Sequence, residues 1–270
     1  MAHKLLEGKR GVIFGALDES SIATHVARQC VAEGARITMT NAPVAMRFGS
    51  IQKLGEELNA EVIAADATSE GDLKNLFEKS KETLGGPFDF VLHSIGMSLN
   101  VRKGKHYTDV NHEWMHKTFD ISAMSFHRMM QVLYQMDAMA EGGSILALSY
   151  IAAQRVFPDY SEMADAKALL ESVARSFGYH YGTRKKVRIN TISQSPTATT
   201  AGSGVKGFDG FIDYADKMSP IGNATGEQCA DYCVSLFSDL TRMVTMQNLF
   251  HDGGFSFMGV TPLVIEKMGK

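Results

Sequence analysis

The chain has 270 residues, 44% of them hydrophobic, which is enough for a sizeable core in one large α/β domain or two small ones. Its 27 Lys and Arg against 30 Asp and Glu leave a formal net charge of -3, so nothing electrostatic favours a nucleic-acid or membrane-surface partner. Three cysteines exclude a disulfide framework and point to a reducing compartment.

The opening "MAHKLLEGKRGVIFGA" has no signal-peptide hydrophobic region, and no later stretch approaches the length of a membrane span, so a cytoplasmic location is expected. "GVIF" reads as the first strand and runs straight into "GALDESSIA". Gly15 there makes a tight turn, and Ser20 or Ser21 is expected to cap a helix starting near Ile22. The freed N–H groups and helix dipole would favour a pyrophosphate. Taken alone this is a weak signal, because many α/β proteins begin with strand, turn and helix. In "SSIATHVARQCVAEGA", Ile22, Val26 and Cys30 repeat at four-residue spacing, and Gly34 is the expected C-cap.

The second strand, "RITMT", leads into "TMTNAPVAMR", which holds neither an acid for a ribose 2′-hydroxyl nor an adjacent Arg for a 2′-phosphate. Arg47 is the nearest cation and is expected inside the next helix. The third strand, "EVIAA", ends at "AADAT", where the Asp66 carboxylate can accept from an adenine amine and the Ala67 backbone can meet the ring edge. The fourth, "FDFVLHSI", ends at "HSIG", where Ser94, Ile95 and Gly96 let backbone pass close to a ribose. A lone Asp or Gly in such a place is usually a turn former. Their joint occurrence at successive strand ends is the stronger signal.

Next comes "HEWMH", which satisfies the H-E-x-x-H zinc-peptidase pattern: His112 and His116 on one helix face, Glu113 as a base. The longer form of that motif needs Gly and His where this chain has Phe119 and Ser122, and neither Glu141 nor Glu162 has context as a third ligand. Exposed or helix-packed histidines are the plainer reading, and no metal site is expected.

The fifth strand, "SILALS", opens "SYIAAQRVFPDYSEMADAK". Tyr160 and Lys167 are seven residues apart, two helical turns with about 20° of drift, which predicts one shared helix face. Pro158 and Asp159 read as that helix's start, so Tyr150 belongs to the strand's exit loop. A lysine ammonium near the phenol would favour its ionised form and can also hold ribose hydroxyls. After the sixth strand, "VRINTIS", the small-residue stretch "TATTAGSGVKGFDG" is either a solvent loop or a lid over a ligand at the carboxyl edge. Cys229 and Cys233, one helical turn apart, read as buried apolar thiols. "NLFHDG" is the seventh strand.

Strands alternating with amphipathic segments imply right-handed crossovers and a parallel sheet. Continuous apolar strands suit a sheet buried on both faces. Without linker, repeat or low-complexity tract, residues 1–270 read as one doubly wound α/β domain of about seven parallel strands, helices on both faces.

Together these residues resemble the short-chain dehydrogenase/reductase superfamily and, within it, the bacterial enoyl-acyl-carrier-protein reductases. Carbonyl-reducing members carry Tyr-x3-Lys, whereas the enoyl reductases carry Tyr-x6-Lys with a second Tyr upstream, as in "YIAAQRVFPDYSEMADAK". "GALDESSIA" is similar to their variant glycine motif, a Gly followed six positions on by Ser-Ile-Ala. "LHSIG", "RINTIS", the Pro196–Thr197 start of the lid and "HDGGF" extend the likeness over nearly the whole chain.

The resemblance implies a Rossmann-like domain, an enoyl thioester on acyl carrier protein as substrate, NADH or NADPH as reductant with the reading leaning to NADH, and a homotetramer. It makes Tyr160 the hydrogen-bond donor to an enolate oxygen and Lys167 the grip on the nicotinamide ribose. It places Tyr150 on the substrate side, Pro196, Thr197 and Thr199 on the cofactor, a lid around 197–220, and Ser98 against the acyl group. Three departures stand out. Gln194 and Ser195 precede Pro196 where relatives often have Ala-Gly. The lid keeps only Lys206 of a basic cluster, with Arg102, Lys103 and Lys105 as a substitute or a solvated loop. Ser149 resembles the serine of carbonyl-reducing members and leaves that subclass open.

Overall fold

The computed structural model describes residues 3–200 and 208–268. Among them each of the seven apolar runs forms a strand: β1 (Arg10–Phe14), β2 (Arg36–Thr40), β3 (Glu61–Val62), β4 (Phe88–His93), β5 (Met139–Ser149), β6 (Arg188–Gln194) and β7 (Asn248–His251). They make one sheet in the order β3-β2-β1-β4-β5-β6-β7, with every neighbouring pair parallel. The order reverses beside β1, where β1 pairs both β2 and β4, and that is where an open α/β sheet has its crevice. Two strands differ most in length from the apolar runs. The edge strand β3 keeps two ladder residues, although Ile63 and Ala65 still donate to Met39 O and Asn41 O. β5 begins at Met139, before the run starting at Ser144.

The helices are α1 (Ile22–Ala32), α2 (Ile51–Leu58), α3 (Glu70–Leu84), α4 (Leu99–Arg102), α5 (His112–Phe119), α6 (Ser125–Gln135), α7 (Met163–Lys185), α8 (Phe208–Met218), α9 (Gly226–Phe237) and α10 (Pro262–Met268). Period-two alternation sorts the strand side chains between two cores. Val12, Phe14, Val91, Ile145 and Ile189 pack with Leu76 of α3, Phe126 of α6 and Leu170 of α7. Ile13, Met39, Phe90, Leu92, Leu146 and Ile192 pack on the other face with Val26 of α1, Leu54 of α2 and Phe237 of α9. Cys30, Cys229 and Cys233 are free thiols buried in that second core, as expected.

Gly34 follows the Glu33 C-cap of α1 at φ +95°, the left-handed position a helix stop requires. Arg47, expected inside a helix, instead ends a 3-10 turn (Ala45–Arg47) ahead of α2 and is exposed. Between α5 and α6 the helix widens into a π segment over Asp120–Met124, a local change common near functional sites. That segment carries Ser122, whose hydroxyl accepts from Met97 N and donates to Met97 O, pinning the loop after β4. Among the described residues no helix is long and apolar enough to cross a membrane.

Candidate active site

The exits of β1, β4, β5 and β6 open onto one cleft of about 820 Å³. Its floor is backbone. Gly15 sits at φ +96°, and a Cβ there would lie 2.0 Å from Ser94 O, so only glycine lets the two strand exits run this close. Ser94, Ile95 and Gly96 continue the floor, with Ser21 and Ile22 at its edge.

Ser21 occupies the N-cap of α1 in extended geometry, but its hydroxyl makes no cap bond. It turns back into the loop, accepting from Leu17 N and Asp18 N and donating to Asp18 Oδ1, while Ser20 also bonds Asp18. The expected serine cap is therefore not made, because Asp18 draws both hydroxyls into the turn. Among the described residues the first-turn N–H groups have no side-chain cap, which suits an anion.

Asp66 and Ala67 follow β3 but are not among the residues lining the cleft. Asp66 Oδ1 accepts from Thr68 N and Thr68 Oγ1, and Ala67 is buried. At this end of the sheet the cleft is lined by Asn41, which sequence reasoning passed over; its amide bonds Ala16 O and Ala42 N.

The geometry at the other end corrects one expectation. α7 begins at Met163; Tyr160 closes a 3-10 turn (Pro158–Tyr160), and Ser161 follows at φ +45°. A residue in that conformation cannot propagate a right-handed helix. Tyr160 and Lys167 thus share no helix face, yet both line the cleft. The buried Lys167 Nζ donates to Leu148 O at 2.7 Å. Burial lowers its pKa to about 8, while the negative charge of Glu171 works the other way. The phenol of Tyr160 is not made more acidic: burial pushes its pKa well up, leaving a protonated hydrogen-bond donor.

Tyr150 leaves β5 directly, as expected, and precedes a 3-10 turn (Ile151–Ala153). Its ring lies 5.0 Å from that of Tyr160 and 5.5 Å from that of Phe157, in a wall completed by Phe211 and Phe255. Its buried hydroxyl has no partner among the described residues, and burial raises its pKa. Ser98 lines the cleft, but its hydroxyl caps α4 and donates to the buried Glu162 at 2.7 Å. Glu162 also accepts from Thr118. Ser149 likewise spends its hydroxyl on Glu171, at 2.7 Å.

Pro196, Thr197 and Thr199 line the cleft. The departures before Pro196 are tied away: Gln194 bonds His251 Nδ1 and Thr197 Oγ1, and Ser195 Oγ accepts from Ala224 N. Within the expected lid, α8 contributes Phe211, Tyr214 and Met218 to the cleft; Lys206 lies outside the described residues. Arg102 lines the cleft, Lys103 is exposed and Lys105 pairs with Asp109.

His112, Glu113 and His116 are exposed on α5. Glu162, weighed as a third ligand, is held by the two hydroxyls just named, and among the described residues no three metal-ligating side chains converge. His93 was missed. It is buried at the end of β4, bonds Ser125 Oγ at 2.8 Å, and has its pKa driven down to about 3 by burial and by the charge of Lys167. Its signal was a polar residue closing an apolar strand.

Comparison with known proteins agrees with this geometry. The family profile described as enoyl-(acyl carrier protein) reductase matches residues 15–256. The enoyl-[acyl-carrier-protein] reductase [NADH] 2 of Rhizobium meliloti is 33% identical over 262 residues, 96% of each chain. The FabI reductase [NADH] of Aquifex aeolicus is 34% identical over 260 residues, 95% of this chain and 94% of its own. Among solved structures, a FabI–NADH complex from Alistipes finegoldii superposes with a TM-score of 0.95 at 60% identity, covering 96% of this chain and 92% of that one. The chain belongs to the enoyl-(acyl carrier protein) reductase family.

Proposed function

We propose that this chain reduces the C=C bond of trans-2-enoyl thioesters carried by acyl carrier protein, taking hydride from NADH, in fatty-acid elongation. The observation that carries the proposal is a half-buried, protonated Tyr160 phenol beside Tyr150, at the end of a cleft whose floor is the Gly15–Ser94 backbone contact. That floor fits a dinucleotide, because Gly15 lets the two strand exits run close together and the floor ends at a helix N-terminus whose Ser21 hydroxyl makes no cap bond. When bound, NADH supplies the hydride that adds to the β-carbon.

The chain's own residues do the rest. Tyr160 donates to the thioester oxygen as negative charge builds there, beside the apolar rings of Phe157, Phe211 and Phe255. Lys167, oriented by Leu148 O, holds the ribose hydroxyls. Ser21, Ile22, Ser94, Ile95, Gly96, Pro196, Thr197 and Thr199 flank the cofactor, and Asp66 and Ala67, outside the cleft lining in this structure, are the candidates for its adenine end. Tyr150 lines the substrate side, its unpartnered hydroxyl a second donor, and the Ser98 backbone borders the acyl chain. The end of β2 brings Asn41 and no cation to the cleft lining, which favours NADH over NADPH. A homotetramer in the cytoplasm completes the reading.

A carbonyl-reducing role would use a serine hydroxyl beside Tyr160, and that of Ser149 is held by Glu171. The test is NADH oxidation with a crotonyl thioester against a 3-oxoacyl thioester. The enoyl substrate is expected to turn over, and Tyr160→Phe to lower kcat by ~10²–10³. Full activity in both Tyr160→Phe and Lys167→Ala would end the assignment.

A further inference from the structure

Glu171 stands four residues beyond Lys167 on α7, one helical turn along the same face. It is buried and lies outside the cleft lining, yet it connects to both ends of the Tyr150 turn. Oε1 accepts from Ser149 Oγ at 2.7 Å, and Oε2 accepts from Gln154 Nε2 at 3.2 Å. Ser149 precedes Tyr150 and Gln154 closes the 3-10 turn that follows it. The Tyr150 hydroxyl has no hydrogen bond among the described residues, so its ring is positioned through the backbone on either side, where Tyr150 O accepts from Ala153 N. Leu148, next in line, supplies the carbonyl that receives Lys167 Nζ. One carboxylate and one carbonyl therefore fasten the end of β5 to the helix that carries the lysine.

Among the described residues few charged groups act on Lys167. β4 presents His93, neutral in its buried setting, and the turn before α7 presents the protonated phenol of Tyr160. From α7 itself comes Glu171, the opposite charge that offsets the burial of the ammonium.

We propose that Glu171 is a positioning residue for the reduction: its carboxylate clamps the Tyr150 turn through Ser149 and Gln154, and it is the buried counter-charge that holds Lys167 as an ammonium. The role rests on the reductase reading of the cleft. The clamp acts on geometry and the counter-charge on protonation, so different variants separate them. Glu171→Gln keeps an acceptor for Ser149 and removes the charge. Ser149→Ala keeps the charge and opens the clamp.

The experiment follows NADH-dependent enoyl reduction and NADH affinity, the latter by fluorescence titration, from neutral to strongly alkaline pH. In Glu171→Gln the alkaline loss of NADH affinity should move down by about one pH unit, and Glu171→Asp should restore it toward the original position. In Ser149→Ala kcat should fall several-fold while that alkaline limb stays in place. An unmoved limb in Glu171→Gln, or the same displacement in Ser149→Ala, overturns the counter-charge. A wild-type kcat in Ser149→Ala overturns the clamp, and decides the proposal alone if Glu171→Gln does not fold. Protein that binds NADH but reduces no enoyl thioester would sink the reductase reading instead; the NADH titrations against pH would still report on Glu171.

Discussion

The two walls of the cleft are built from different material. On the side proposed for the cofactor Gly15, Ser94, Ile95 and Gly96 present main chain, placed by the β1–β4 ladder in which Phe14 faces His93. On the side proposed for the substrate Tyr150, Phe157, Tyr160, Phe211 and Phe255 present rings with neighbouring centroids 5.0 to 6.5 Å apart, drawn from separate segments. A main-chain wall has no rotamers with which to absorb an added atom. A side-chain wall can repack around a change in shape, at the cost of some ring–ring attraction.

The largest expected effect tests the rigid wall. Gly15→Ala adds a Cβ into contact with Ser94 O and forces a positive φ on an L-residue. NADH affinity should drop by ~100-fold or more, read by fluorescence titration on protein with native far-UV circular dichroism. Near-normal affinity would mean the strand exits are less rigid than this contact implies.

Lys167 lies where the walls meet and gives the next effect. Its pKa is lowered to about 8, so in the role proposed for it Lys167 would donate to ribose hydroxyls below that pH and lose the proton above it. NADH affinity should be level on the acid side of about 8 and decline on the alkaline side, by ~10-fold once the charge-assisted bond is gone. Lys167→Met should abolish the decline; a decline that persists assigns it to another group.

The smallest effect tests the adaptable wall. Phe211→Leu removes ring contacts to Tyr150, Phe157 and Phe255. The KM for the acyl thioester should rise only ~3- to 10-fold, with NADH affinity unchanged. A matching loss in NADH affinity would show that the two walls are not independent.

The same contrast explains what could be read in advance. Gly15, Ser94 and Gly96 were legible because a strand end followed by a small residue is a local pattern, and parallel pairing brings such ends together. Ser21 was legible as a helix start, but its hydroxyl went to Asp18, since a side chain near several acceptors is settled by loop geometry. The helix-phase argument for Tyr160 and Lys167 failed at Ser161, whose left-handed backbone breaks the helix that Pro158 seemed to begin. Glu171 carried a usable signal, four-residue spacing from Lys167, whereas its partners Ser149 and Gln154 lie on another element.

Apolar periodicity and turn residues by themselves determined seven strands, a parallel sheet buried on both faces, and the strand ends that form the cofactor wall. Those features depend on neighbours a few residues away and on the fixed hand of the crossover. Only the tertiary structure decided that both phenols stay protonated, and that a buried carboxylate on the helix of Lys167 bonds Ser149 and Gln154 on either side of Tyr150. Hydrogen-bond choice and desolvation depend on groups distant in the chain, and these meet only once the sheet has closed its two cores.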